Sequence, residues 1–287
     1  MATLREIRKR ITSVRSTQHI TKAMKMVAAA KMRRAQDNIL AIRPYAYRLR
    51  NLIADLTADS IDISGIPLME SRPLSNVLLV VVTADRGLCG AFNSNIIRQS
   101  LSRITHYQGT NYSLLTVGRK GYDFFRKRDY PIEDFKINFF NDLSYLDAQD
   151  ISRDLIGLYT AKKFDHIEII YNEFKSAIQQ LVITEQFLPF IAEGGNDQRK
   201  WRADFIYEPD KIGILNEVVP KNLSIQIWRI LQESFSAEQA ARMTAMENAT
   251  SNAQEIVEDL TIFYNRSRQA TITKEISEIV GGAEALK

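Results

Sequence analysis

The chain has 287 residues, of which 45% are hydrophobic and 25% are charged, so it is long enough for one or two domains with a sizeable core. No apolar run approaches the roughly 20 residues needed to span a bilayer, which predicts a soluble or peripheral protein. The single cysteine excludes an internal disulfide framework and fits a reducing compartment.

The net charge of +4 hides an uneven distribution of charge along the chain. Residues 1–50 contain 13 Lys and Arg against two acids, Glu6 and Asp37, and the rest of the chain contains 25 basic and 32 acidic residues. A basic excess confined to one segment predicts an anionic partner, either nucleic acid or acidic protein surfaces. The segment has no aromatic residue before Tyr45, and no recognised nucleic-acid motif follows it, which disfavours nucleic acid. A solvated helix face is a third interpretation, although such faces normally mix both signs.

Residues 1–56 are predicted to form one long helix with a repeating apolar seam. Thirteen of its sixteen seam positions are apolar or alanine. They are Leu4, Ile7, Ile11, Val14, Gln18, Thr21, Lys25, Ala28, Met32, Ala35, Ile39, Ile42, Ala46, Leu49, Ile53 and Leu56. The three-four spacing favours a coiled coil, which needs a partner helix of similar length.

Two features make this helix non-uniform. Gln18, Thr21 and Lys25 interrupt the seam, while Ile20, Met24 and Val27 form a displaced apolar stripe beside it. A displaced stripe indicates that a different surface contacts the helix there. Pro44 is expected to kink the helix or to end its first straight section, because proline removes a backbone donor.

The partner helix is predicted at the other end of the chain. No glycine or proline occurs from Asn222 to Val280. Pro220 is expected to bend the region before it, and Gly281-Gly282 to cap its end. Its seam is predicted at Met246, Ala249, Ala253, Ile256, Leu260 and Phe263, with Trp228, Leu231 and Phe235 upstream. The two terminal helices are predicted to pair as an antiparallel coiled coil; two separate amphipathic helices packed on a globular body are the alternative.

Between the helices, strand and helix patterns alternate. The run of Val and Leu in 76–83 is typical of a strand buried on both faces, and a glycine-bearing turn and a helix at 96–107 follow it. Further strands are predicted at 112–117, 135–139, 166–174 and 180–187, with helices at 119–128 and 144–163. The last two strands are close in sequence, so they should form an antiparallel hairpin at one sheet edge.

The predicted fold is therefore an α+β protein of several parts: a long antiparallel coiled coil of the N- and C-terminal helices plus a Rossmann-like α/β domain. The predicted division is 1–56 for the N-terminal coiled-coil helix, 57–74 for a linker, 75–190 for the α/β domain, 191–208 for a connecting loop and foot, and 209–287 for the C-terminal coiled-coil helix.

No enzyme constellation stands out in the sequence. The turn Gly87-Leu88-Cys89-Gly90 matches neither dinucleotide nor P-loop glycine patterns, which favours a tight turn over a nucleotide site. His19, His106 and His166 fall on different elements without metal or triad spacing, so no catalytic, cofactor-binding or metal-binding residue is predicted. Asp147, in the first turn of a predicted helix, suits the helix dipole. These absences indicate a protein with a mechanical rather than a chemical role.

Four sequence strings span the chain in order: Ile20 to Met32, Asp85 to Gly90 with Asn93 and Asn95, Tyr207-Glu208-Pro209, and Tyr264 to Glu275. Together they resemble the gamma subunits of F-type ATP synthases. The resemblance implies a non-catalytic rotor of the central stalk without cofactors. Such a rotor couples ion-driven rotation of the membrane c-ring to ATP synthesis or hydrolysis at the alpha/beta hexamer. The implied partners are the alpha, beta and epsilon subunits and the c-ring, and not nucleic acid.

By position in that family, Lys22, Met24 and Lys25 would lie beside the acidic levers of the beta subunits. Arg268 and Gln269 would contact beta loops, and Tyr207 and Glu208 would belong to the foot on epsilon and the c-ring. Lys25 stands where some relatives have an acid, so the resemblance does not define a salt bridge at that position. The absence of a plastid-type cysteine pair and of a transit peptide leads us to expect a peripheral protein on the cytoplasmic side of a bacterial plasma membrane.

The relative lengths of the two helices lead to one further expectation. The C-terminal helix is the longer, so its last turns should project beyond the paired region. They carry the apolar stripe Ile272, Ile276, Ile279 and Val280, which water disfavours. We therefore expect an apolar collar to enclose this tip in an assembly. A nucleic-acid-binding coiled coil and a nucleotide-dependent enzyme remain as the competing hypotheses.

Overall fold

The computed structural model describes residues 3–57, 65–138, 140, 142–176, 179–192, 208 and 210–285, with side chains up to residue 282. Its helices and strands, in chain order, are α1 (Leu4–Thr57), β1 (Asn76–Val82), α2 (Phe92–His106), β2 (Asn111–Val117), α3 (Arg119–Arg126), β3 (Ile132–Lys136), α4 (Tyr145–Thr160), β4 (His166–Phe174), β5 (Gln180–Leu188) and α5 (Lys211–Ala285). The chain divides into two compact units: Met1–Ala28 with Arg242–Lys287, and Ala29–Ala241. We call them the terminal unit and the central unit.

In the terminal unit the first part of α1 lies alongside the last part of α5. The hydroxyl oxygens of Thr21 and Thr250 are 2.7 Å apart, and Lys25 Nζ donates to Glu247 Oε1 at 2.5 Å. The α5 partner number falls as the α1 number rises, so the two helices run antiparallel. The predicted antiparallel coiled coil is confirmed.

The seam predicted for α1 is also confirmed. Each of its sixteen positions is buried or partly buried, in the terminal unit up to Ala28 and in the central unit from Met32 onward. Even the polar Thr21 is only 8% exposed. The three-four spacing therefore identified the contact face of the helix correctly, including where the residues on it are not apolar.

The seam predicted for α5 is correct at Met246, Ala249, Ala253 and Leu260 but wrong at Ile256 and Phe263. Ile256 is 45% and Phe263 51% exposed, whereas Val257 and Tyr264 are partly buried. Because 3.6 residues make one turn, steps of three and four both return near one face, and the sequence permits either phase. The prediction took the phase of Ile256 and Phe263, and the structure has the phase of Val257 and Tyr264.

The central unit contains a five-stranded sheet in the order β3-β2-β1-β4-β5. β1 pairs in parallel with β2 and β4, β2 pairs in parallel with β3, and β5 is antiparallel to β4. The predicted edge hairpin and the Rossmann-like topology are thus confirmed. The β3 strand begins at Ile132, earlier than predicted, because its residues alternate weakly between polar and apolar.

Helices cover both faces of the sheet. β1 is buried along almost its whole length, and its alternate residues belong to two different apolar clusters. On one face Leu78 and Val80 join α4 and segments of α1 and α5 in one cluster. On the other, Val77 and Leu79 join α2 and α3. Burial on both faces explains the uninterrupted apolar run of β1.

The expected cap at Gly281-Gly282 is wrong, whereas a kink at Pro44 and a bend at Pro220 stay predictions, because both prolines lie inside helices. α1 does not end at Pro44, and Pro220 lies inside α5, which begins at Lys211. α5 also continues through Gly281 and Gly282 to Ala285. A glycine C-cap needs a positive φ, which neither of these glycines adopts. Long helices tolerate a single proline when the freed carbonyl can be hydrated.

Candidate functional site

One turn of α1 in the terminal unit carries the residues predicted to face an acidic partner. Lys22 is exposed, and Met24 and Lys25 are partly buried. Ile20 and Val27, at 58% and 57% exposure, flank them and complete an apolar stripe next to the cations. Exposed apolar groups beside positive charge are typical of a surface that another protein covers.

Lys25 differs from Lys22 because its ammonium group has a partner on α5. Lys25 Nζ pairs with Glu247 Oε1, and their side chains are 37% and 55% exposed. An ion pair this exposed contributes little to stability. It does reduce the charge that Lys25 presents outward, so Lys22 is the freer cation of the two.

Arg268 and Gln269, the predicted contacts of beta loops, are both exposed on α5. They lie 18 and 19 residues beyond Thr250, the residue paired with Thr21. At 1.5 Å per residue this is about 27 Å along the helix, so the two predicted contact sets do not form one site. Every residue from Arg268 to Gly282 is exposed, and the stripe includes Ile279 at 72%.

The predicted foot residues are only partly described. Glu208 is exposed, and Tyr207 lies outside the described residues.

The turn after β1 uses its polar residues to hold the sheet together. Asp85 Oδ1 accepts from the backbone N–H groups of Arg119 at 3.0 Å and Asn138 at 2.9 Å, which follow β2 and β3. Asn93 Oδ1 accepts from the backbone N–H of Ala84, and its Nδ2 donates to Cys89 Sγ at 3.2 Å. These bonds give Asp85 Oδ1 and Asn93 structural roles, whereas Asp85 Oδ2 is buried without a hydrogen-bond partner among the described residues.

A buried ionic cluster between α2 and β4 was not expected from the sequence. Tyr107 Oη donates to Glu168 Oε1 at 2.7 Å, and Arg103 Nε donates to Glu168 Oε2 at 2.9 Å. Burial alone would raise the pKa of Glu168, but hydrogen bonds from His166, Arg103 and Tyr107 outweigh it and hold the pKa at about 2. Burial, together with the Glu168 carboxylate, raises the pKa of Tyr107 to about 12. The Glu168 carboxylate is therefore fixed in the ionised form and acts as a structural tie.

Within the described part of the chain, no group of three or more His, Cys, Asp and Glu side chains could hold a metal ion. No helix there is both long and apolar enough to cross a membrane.

Comparison with known proteins adds to this geometry. The family model described as ATP synthase matches residues 3–286. The gamma chain of ATP synthase from Chloroherpeton thalassium is 49% identical, with 100% of this chain and 99% of the relative covered. The gamma chain from Chlorobium limicola is 46% identical, with both chains covered completely. The chain belongs to the ATP synthase gamma chain family. The resemblance drawn from the four sequence strings is thereby confirmed.

Solved structures agree with the fold of a gamma chain. A chain in the structure of the central stalk and c-ring of the Tetrahymena thermophila mitochondrial ATP synthase matches with a TM-score of 0.60 and 27% identity, over 80% of this chain and 99% of that chain. A chain of the Euglena gracilis mitochondrial ATP synthase matches with a TM-score of 0.70 over 99% of this chain and 94% of that chain. At 20% identity, the second match supports the fold alone.

Proposed function

We propose that this gamma chain is the rotor of an F-type ATP synthase, which couples ion-driven rotation of the c-ring to ATP synthesis or hydrolysis in the alpha/beta hexamer. As a member of the gamma chain family it is a central-stalk subunit. The observation that carries the rotor role is the antiparallel pair of α1 and α5 in the terminal unit, whose exposed faces differ. A shaft needs such asymmetry in order to present different surfaces to identical partners in turn.

The difference between the two helices is one of charge. In the terminal unit α1 carries seven Lys and Arg and one acid, Glu6, whereas α5 from Arg242 to Gly282 carries four Lys and Arg and six acids. An acidic lever of a beta subunit would therefore be attracted when it meets α1 and repelled when it meets α5. Lys22, Met24 and Lys25 are the proposed lever contacts, with Lys22 carrying most of the charge.

The far end of α5 is proposed to enter the alpha/beta hexamer. Arg268 and Gln269 would contact beta loops there, and the exposed stripe from Ile272 to Val280 would lie in an apolar collar. Burying this stripe would stabilise the assembly by removing apolar surface from water.

Tyr207 and Glu208 are proposed to contact the epsilon subunit and the c-ring. The chain would then be a peripheral component on the cytoplasmic side of a bacterial plasma membrane, attached only through the c-ring. It has no catalytic group of its own in this proposal, and nucleic acid is not among its partners.

Direct observation of rotation tests the proposal. A Cys89→Ser, Leu146→Cys chain, assembled with alpha and beta subunits, would carry a bead on α4, where Leu146 is 68% exposed. We expect the bead to turn in one direction when ATP is added and to stop when ATP is removed. A complex with Cys89→Ser alone controls for attachment elsewhere.

ATP hydrolysis with a stationary, firmly attached bead would contradict the rotor. A chain that instead binds DNA or RNA tightly at physiological salt, and does not co-purify with alpha and beta subunits, would favour the nucleic-acid alternative.

A further inference from the structure

Arg229 of α5 is the centre of an ionic cluster that joins this helix to the sheet in the central unit. Its Nη2 donates to Glu185 of β5, to Oε1 at 2.6 Å and to Oε2 at 2.9 Å, and its Nη1 donates to Tyr171 Oη of β4 at 3.2 Å. Gln226, one turn earlier on α5, donates to Glu185 Oε1 at 2.7 Å. Glu233, one turn later, lies 3.4 Å from Nη1. We call these five residues the Arg229 cluster.

The cluster is directional and mostly shielded from water. The Arg229 and Glu185 side chains are 29% and 27% exposed, and Tyr171 is 1% exposed. Tyr171 Oη also donates to Glu185 Oε2 at 2.8 Å, so both carboxylate oxygens are engaged. A planar guanidinium held at several points fixes orientation as well as distance, which an ammonium group cannot do.

Two carboxylates in the cluster, Glu185 and Glu233, lie beside one cation, Arg229. Burial by itself would raise the pKa of Glu185, but attraction to Arg229 and hydrogen bonds from its neighbours lower it. Burial raises the pKa of Glu233, with Arg229 only partly offsetting the effect. Both carboxylates rely on a single guanidinium, and removing it would leave two acids close together and poorly hydrated.

Apolar packing also holds α5 to the sheet, because Leu223, Ile227 and Leu231 are buried in the same core cluster as residues of β1 and β4. A cavity of about 320 Å³ borders the cluster, and its wall includes Ala46 of α1, Ile225 of α5 and Phe190 after β5. Apolar contacts are non-directional, so the hydrogen bonds of the cluster add a fixed orientation that apolar packing does not specify. Glu185, Gln226 and Arg229 line the same cavity and connect β5 to α5 beside it.

We propose that the Arg229 cluster is the fixed joint through which torque passes between the α/β sheet and helix α5, and that Arg229 is a positioning residue for coupling. This inference rests on the proposed rotor function. A joint that yields under load would let α5 turn without carrying the sheet with it. Some ATP would then be hydrolysed without driving ions through the c-ring.

The test compares ion pumping with ATP hydrolysis in the complete ATP synthase reconstituted in vesicles. Arg229→Met removes the cluster centre. Arg229→Met with Glu185→Gln removes the closest ion pair at similar volume and leaves Glu233 as the remaining charge, so we expect the double variant to fold even where the single variant does not. Arg229→Lys keeps the charge without the planar fork. Lys221→Met is the matched control, because Lys221 forms an exposed ion pair with Glu217 on the same helix.

We expect the double variant to hydrolyse ATP within about twofold of the unaltered enzyme, while ions pumped per ATP fall at least about threefold. The number of ions that Arg229→Lys pumps per ATP should lie between the values for the unaltered enzyme and the double variant. Lys221→Met should pump normally. A purely structural role would shift the thermal midpoint without changing the ratio of ions to ATP.

The inference is overturned if the double variant and Arg229→Lys both pump as many ions per ATP as the unaltered enzyme. Failure of the unaltered enzyme to pump ions at all would instead count against the rotor function itself.

Discussion

Gly118 occupies a backbone position that has no room for a side chain. It lies between β2 and α3 with φ at 96°, and a Cβ placed there would overlap the carbonyl oxygen of Thr83. Its N–H also donates to the carbonyl of Lys136 at 2.7 Å, so the backbone cannot move away without losing that bond. Only glycine fits this conformation and this space.

We predict that Gly118→Ala lowers the free energy of unfolding by about 3 kcal/mol, as measured by urea titration. Gly157→Ala is the matched control, because Gly157 lies within α4 and a Cβ there meets nothing within 4 Å. That substitution should raise the stability by about 0.5–1 kcal/mol. Equal effects of the two alanines would contradict the explanation.

Glu168 allows a prediction about pH. Its pKa is about 2 in the folded chain against an ordinary value of 4.5, so the ionised cluster stabilises the fold above pH 4.5 and loses this contribution as the pH falls towards 2. A shift of this size corresponds to about 3 kcal/mol. Glu168→Gln should therefore be less stable than the unaltered chain at pH 7, and the difference should shrink between pH 4.5 and 2.

Urea titrations across this pH range measure the difference. Asp150→Asn serves as the control, because the pair between Arg153 and Asp150 is exposed and should matter little at any pH. A stability difference for Glu168→Gln that stays constant down to pH 2 would show that its charge is not what the cluster stabilises.

The helices show which features a single sequence can specify. The α1 seam follows from local spacing, and so do the β1 strand and the capping box of α4, in which Ser144 and Asp147 satisfy each other's backbone N–H groups. The phase of the α5 seam after Ala253 does not follow, because the partner helix selects it. The Arg229 cluster is equally hidden, since Arg229 is 44 residues from Glu185 and 58 from Tyr171 in sequence and meets them only once α5 packs on the sheet.

The candidate site also has some features that the sequence shows and others that depend on the fold. The basic excess on α1 and the stripe beside Lys22 are visible in the sequence as charge and periodicity. The pairing of Lys25 with Glu247 is not visible, because it depends on the register between two helices more than 200 residues apart. Lys25 therefore proved to be the weaker candidate for an outward charge.

Pro44 makes α1 weaker than its length implies. The helix runs through it, and the missing N–H leaves the carbonyl of Leu40 without its helical partner. We predict that Pro44→Ala raises the free energy of unfolding by about 1–3 kcal/mol, as measured by urea titration. Arg43→Ala, at the neighbouring exposed position, should change it little. A loss of stability in Pro44→Ala would mean that the packing of α1 depends on the path imposed by proline.

We expect the charge of α1 to affect ion pumping only at the positions that would contact an acidic lever of a beta subunit. We predict that Lys22→Glu slows ATP-driven ion pumping several-fold in the reconstituted enzyme, because it reverses the charge offered to an acidic lever. Lys127→Glu, an equal change on the exposed end of α3, should pump normally. Equal pumping by both variants would remove Lys22 from the lever contact.

At the scale of the whole molecule, the two units differ in how they are stabilised. The central unit contains both apolar clusters, which cover the two faces of the sheet. The terminal unit has few fully buried apolar residues, among them Ile7, Ala28, Met246 and Ala253. Its stability therefore rests on a narrow seam, and its outer surfaces are available to other subunits.

The end of α5 is the part of the chain that depends most on assembly. From Arg268 to Gly282 every residue is exposed, so the segment is held only by local interactions of the helix, its backbone hydrogen bonds and side-chain contacts such as the exposed pair of Lys274 and Glu278. A helix of about 15 residues without packing is marginal in water.

We predict that the amide hydrogens of this segment exchange rapidly in the isolated chain and at least about 100-fold more slowly in the assembled enzyme, where the collar would bury Ile272, Ile276 and Ile279. Hydrogen exchange with mass spectrometry measures both states, with α4 as an internal control whose exchange should not change. Equally rapid exchange of the segment in the assembled enzyme would show that no collar encloses the tip.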